Sequence, residues 1–92
     1  MDRFRLKKER KKIDKIDEQL FKLIKKRTAV VKKMLTLKKY KHQIVDTKRI
    51  NEILKVIKRK SITNKVDVRL TAKIWKAMIW SYVDFQRRNF KK

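Results

Sequence analysis

Six polar side chains break into a sequence otherwise dominated by lysine and isoleucine: Arg10, Arg27, Lys38, Asp46, Arg49 and Gln86. A guanidinium fork matches a carboxylate through two parallel hydrogen bonds, an ammonium is a point charge, and a primary amide is a neutral donor. The chemistry open to such a set is to grip an anion, fix its conformation and stabilise charge that develops on it. Other chemistries are closed. Cysteine is absent, which removes thiol nucleophiles, disulfides and cysteine-type zinc sites and suits a reducing cytoplasm. The single His42 has few carboxylates near it and reads as a loop imidazole, so neither metal nor cofactor is expected. Glycine and proline are absent too, which excludes phosphate-cradling glycine loops and tight-hairpin β folds.

These residues need helices to position them. Apolar residues recur at helical spacing from about Leu6 to Tyr40, through Ile13, Ile16, Leu20, Leu23, Ile24, Val30, Val31, Met34 and Leu37, with no breaker. Tyr40 to Val45 reads as a short connector. Asp46 is an N-cap for a second helix whose stripe is Ile50, Ile53, Leu54 and Ile57, ending near Lys60. Ser61 to Asn64 reads as the second connector. Asn64 caps a third helix with Asp67 in its first turn, running to about Phe90 through Leu70, Ile74, Ala77, Met78, Tyr82 and Phe85. The expected fold is all-α: long, short and long helices in one domain over residues 1–92.

Geometry then constrains the arginines. Arg27 lies on the apolar side of the first helix, and Lys38, eleven residues on, shares that face after about three turns. Arg10 is seventeen residues before Arg27, roughly 25 Å away and turned by about 100°. One small ligand cannot be held by both from the same straight helix, so a shared site requires Arg10 to reach a partner subunit's pocket. Singly, each residue reads as a cation snorkelling from a lysine-rich helix. A first helix of roughly 50 Å also outruns the cover that the other two provide, and a second copy laid alongside would bury its bare stripe. A homodimer is expected on both grounds.

The 92 residues hold 31 Lys and Arg against 9 Asp and Glu, a net charge of +22. That field attracts polyanions. The lysines are spread over every segment with no confined basic tract, which favours solvated helix faces over a dedicated binding surface. A small basic nucleic-acid-binding protein is the third functional reading. It is disfavoured because the last helix, with Trp75, Trp80, Tyr82 and Phe85, reads as core and not as a groove reader, and no specific nucleic acid is expected. No apolar run approaches the roughly 18 residues of a membrane span, and the basic N-terminus leads into an amphipathic helix and not a signal sequence. The chain is expected to be cytoplasmic and to have no membrane partner.

Taken together, Arg10-x-x-Ile13-Asp14-x-Ile16-Asp17-x-x-Leu20, Leu23-Ile24-x-x-Arg27, Lys38, Asp46-x-x-Arg49 and Gln86 resemble the all-helical chorismate mutase family over nearly the whole chain. The resemblance implies an intertwined homodimer with two pockets, each lined by both chains, and a small dianionic substrate. It implies rearrangement of chorismate to prephenate on the shikimate route to aromatic amino acids. Arg10, from the partner, and Arg27 would bind the two carboxylates. Lys38 would contact a carboxylate and the ether oxygen, and Gln86 would donate to that oxygen. Asp46 and Arg49 would shape the ring side, and Asp17 would be structural. A Claisen-type rearrangement is unimolecular, so a clamp and well-aimed donors are enough.

Two positions depart from the mutase pattern. Many mutases carry a glutamate directly after the D-x-x-R arginine, where it accepts the ring hydroxyl; here Ile50 stands there. Many carry a serine four residues before the glutamine; here it is Tyr82. The connector from Lys38 to Asp46 also looks one residue short. These features are similar to the isochorismate pyruvate lyases of salicylate synthesis, which share the fold. Mutase is the first reading and lyase the alternative, with Arg10, Arg27, Lys38 and Gln86 common to both and Ile50 and Tyr82 added as substrate contacts.

Overall fold

The computed structural model describes residues 2–91 and is built of helices, with no strand among them. Helix α1 spans Arg3–Leu37, α2 spans Thr47–Thr63 and α3 spans Val68–Asn89, with a one-turn 3-10 helix at Lys41–Ile44 between the first two. None of these helices is long and apolar enough to cross a membrane.

The order long, short, long is as the hydrophobic spacing predicts, but the boundaries shift for identifiable reasons. α1 begins three residues before Leu6 because the Asp2 carboxylate accepts the backbone N–H of Arg5 at 3.0 Å. It ends at Leu37 and not Tyr40, because the Gln43 side-chain oxygen captures the N–H groups of Lys39 and Tyr40 at 2.8 and 2.9 Å. Those donors would otherwise continue the helix. α2 runs on through Ser61, Ile62 and Thr63, which were expected to be connector. Asn64 does not cap α3. It closes α2, where its side-chain amide donates to the Lys60 carbonyl, and Asp67 caps α3 by accepting from the Leu70 N–H at 2.8 Å.

The reason for that exchange is a Schellman turn. The Val66 N–H bonds the Ser61 carbonyl and the Lys65 N–H bonds the Ile62 carbonyl, the paired bonds of that motif. Its left-handed residue is usually glycine, but in this glycine-free chain Lys65 takes it, at φ 55°.

Packing divides the chain into two units, Met1–Lys33 and Met34–Lys92. The first is helix alone. Its apolar stripe is bare: Ile13, Ile16, Leu20, Leu23 and Val30 are all exposed. The second unit contains the last turn of α1, the connector, α2 and α3. Leu35, Ile44 and Val83 form a buried cluster there, with Val45 and Phe90 packed against it. α2 and α3 lie against each other, and Ile50, Ile57, Ser61, Thr71 and Ile79 are among their buried or half-buried residues. The Ser61 and Thr71 hydroxyls meet at 2.7 Å between them, and Ser61 also donates to the Ile57 carbonyl.

Trp80 is a correction to the expected core. It follows the buried Ile79 by one residue, about 100° round the helix, and is 51% exposed. Val66, Leu70 and Ile74 near and along the start of α3 are exposed as well. The α3 face that does pack runs through Trp75, Ile79, Val83 and Gln86, so this helix is apolar on two sides.

Candidate active site

The open end of the second unit, away from the α2–α3 turn, brings together three of the residues singled out above. Lys38 stands just beyond α1, directed by the Leu35 carbonyl that accepts its N–H and by the Gln43-bonded backbone that follows. Gln86 lies near the end of α3 and is buried, 7% exposed. The Lys38 Nζ donates to Gln86 Oε1 at 2.8 Å. The Gln86 Nε2 donates to the Tyr82 carbonyl at 3.2 Å, which holds the amide upright and leaves its second N–H pointing elsewhere. Leu35, Ile44 and Val83 make the apolar floor beneath this end.

Electrostatics single out the same lysine. Burial pushes the Lys38 ammonium below its ordinary value of 10.5, and the negative charge of Asp46 opposes that shift. Asp46 is itself fixed as the N-cap of α2, where its Oδ1 accepts the Arg49 N–H at 3.0 Å. A desolvated ammonium, a buried amide and a fixed carboxylate at one end of a helix pair can bind and polarise an oxygen-rich anion.

The remaining expected residues are placed as follows. Arg49 is exposed and its guanidinium reaches Glu52 at 3.6 Å, a pairing that sequence spacing alone did not bring forward. Ile50 is half-buried on the inward stripe of α2. Tyr82 is half-buried and meets Phe85 edge-on, with ring centroids 6.4 Å apart. Arg10 and Arg27 belong to the first unit, where Arg10 is exposed and Arg27 half-buried. Seventeen residues of continuous helix hold them about 25 Å apart, so one chain does not bring these two arginines together. Asp17 is exposed on the same helix.

Gln43 is the residue that the sequence reading missed. Its side chain stops α1 and thereby sets where Lys38 stands; the available signal was its position three residues after Tyr40, where a side chain can reach back to orphan N–H groups. No cluster of three metal-ligating side chains occurs among the described residues. A recess of about 360 Å³ lies at the opposite end of the unit, by the α2–α3 turn, lined by Ile57, Ser61, Val66, Thr71 and Trp75 among others. None of the candidate residues lines it, and its hydroxyls satisfy each other.

Comparison with known proteins adds one finding. The family model described as chorismate mutase type II matches residues 9–87, a span containing every candidate residue from Arg10 to Gln86. No curated protein and no solved structure matches the chain.

Proposed function

This chain belongs to the type II chorismate mutase family, the all-helical one, and from that premise we propose that it is an isomerase converting chorismate to prephenate. The observation that carries the reading is the Lys38–Gln86 pair, a charged and a neutral donor 2.8 Å apart on an apolar floor. In the reaction the ether C–O bond breaks as a C–C bond forms, and negative charge grows on the ether oxygen. Lys38 has three N–H groups and Gln86 has one not used by Tyr82, so both can donate to that oxygen. Their bonds strengthen as the charge grows, which lowers the barrier and not merely the dissociation constant.

A clamp must supply the rest, by holding the substrate in its compact conformer. Arg27 and Arg10 are assigned to the two carboxylates. Because one chain keeps them about 25 Å apart, Arg10 is assigned to the pocket of a second copy. The bare stripe of α1, from Ile13 to Val30, and the exposed Leu70 and Ile74 of α3 are the apolar surfaces that this second copy would cover. Asp46 opposes the downward shift of Lys38, and Asp46 and Arg49 are assigned to the ring side.

Ile50 favours a second reading, the removal of pyruvate from isochorismate to give salicylate. An aliphatic, half-buried side chain offers no acceptor for the ring hydroxyl of chorismate. Separate incubations with chorismate and isochorismate, with product identification, decide between the two. The proposal expects prephenate from chorismate, and salicylate plus pyruvate from isochorismate alone would overturn it. Ile50→Glu extends the test: a mutase gains chorismate turnover from the new acceptor, whereas a lyase loses isochorismate turnover to a poorly paired carboxylate near a dianion.

A further inference from the structure

Trp80 has no part in the reaction above and none in the core, and it stands in a row. Arg69, Lys73, Lys76 and Trp80 follow one another at spacings of four, three and four residues, which places them within about 60° of each other on one flank of α3. Arg87, eighteen residues after Arg69, returns to the same line after five turns, so the strip is about 27 Å long. All four cations are exposed, and none is ion-paired among the described residues. The one carboxylate of α3, Asp84, is taken up by Arg88 at 2.8 Å, and Asp67 at the helix start is occupied as its cap.

Cations about one turn apart, in line with a tryptophan that is 51% exposed, fit a chain of phosphodiesters whose bases are free to stack. We propose that this flank of α3 binds single-stranded nucleic acid without sequence preference, with phosphates on Arg69, Lys73, Lys76 and Arg87 and a base on Trp80. A duplex keeps its bases inside the stack and offers Trp80 no ring face. An anionic bilayer would seat the apolar row Leu70, Ile74 and Ala77, about a quarter-turn away. The cations share the line of Trp80 and do not flank that row on both sides, which favours the nucleic acid.

The experiment titrates the full chain with labelled oligothymidylate over a salt series, following both anisotropy and tryptophan emission. Binding should quench the indole. Trp80→Ala should abolish most of the quench and weaken binding roughly 5- to 150-fold, the range that stacking one base supplies, with helicity unchanged. Lys73→Glu with Lys76→Glu should reduce the slope of log K against log salt by about 1.4, whereas Lys7→Glu with Lys8→Glu, the same charge change on α1, should leave the quench intact and cost less affinity. Equal losses from both pairs would mean diffuse attraction by the +22 charge and would overturn the proposal. So would an unaltered Trp80→Ala variant, equal competition by duplex, or capture by phosphatidylglycerol vesicles without capture by the oligonucleotide.

Discussion

Lys38 and Gln86 are forty-eight positions apart in sequence and 2.8 Å apart in space. If Gln86 donates to the ether oxygen, Gln86→Ala removes a bond that matters most in the transition state. Turnover of chorismate should then fall about 100- to 1,000-fold in kcat, with KM changing far less. Lys38 gives a second test through pH. Its ammonium titrates below 10.5 because it is desolvated, so kcat/KM should decline as pH rises through that lowered value. Asp46→Asn removes the charge that opposes the shift, so the decline should move to lower pH; an unmoved alkaline limb would separate Lys38 from the chemistry. Unfolding does not mimic this. With the folded pKa below the unfolded one, the unfolded chain binds more protons in that window, and the Lys38 contribution to stability rises with pH while activity falls. The ordered set of motifs put Lys38 and Gln86 in one group, and the structure brings their side chains together. The burial of Gln86 was not legible, because a glutamine on a helix carries no sign of which side it faces.

The helices themselves were legible wherever one apolar face dominated. α1 and α2 follow their stripes, and the errors are confined to the ends, where single side chains compete. Asn64 was read as the cap of α3 and Asp67 as a first-turn residue, and the reversal turned on a Schellman turn whose usual glycine signal is missing. Lys65 holds that left-handed position at a cost that glycine avoids. Lys65→Gly should therefore stabilise the fold by about 0.5–1 kcal/mol, seen as a higher midpoint in denaturant with an unchanged slope. A lower midpoint would show that the lysine side chain contributes more than the backbone strain removes. α3 was misread at Trp80 for a different reason. Apolar residues occupy two of its faces, and periodicity cannot tell which one the chain buries by itself.

At the scale of the molecule, the bare stripe of α1 and the roughly 25 Å between Arg10 and Arg27 are the two observations behind the proposed second copy. Sedimentation at micromolar protein should give about twice the 11.4 kDa chain mass. Each copy carries +22, so association should tighten as added salt screens the repulsion, the reverse of the salt effect expected for capture of a dianion. A folded, active monomer would remove the shared pocket. The most direct test of that pocket mixes two inactive variants. Arg10→Ala and Arg27→Ala should each abolish chorismate turnover while keeping full helicity. In a mixed dimer, one pocket receives an intact Arg27 from one chain and an intact Arg10 from the other, and the second pocket carries both lesions. After subunit exchange of equal amounts, turnover should recover to about a quarter of the unmodified level, since half the dimers are mixed and half of their pockets are whole. Exchange demonstrated by mass with no recovery of turnover would contradict a pocket built from two chains.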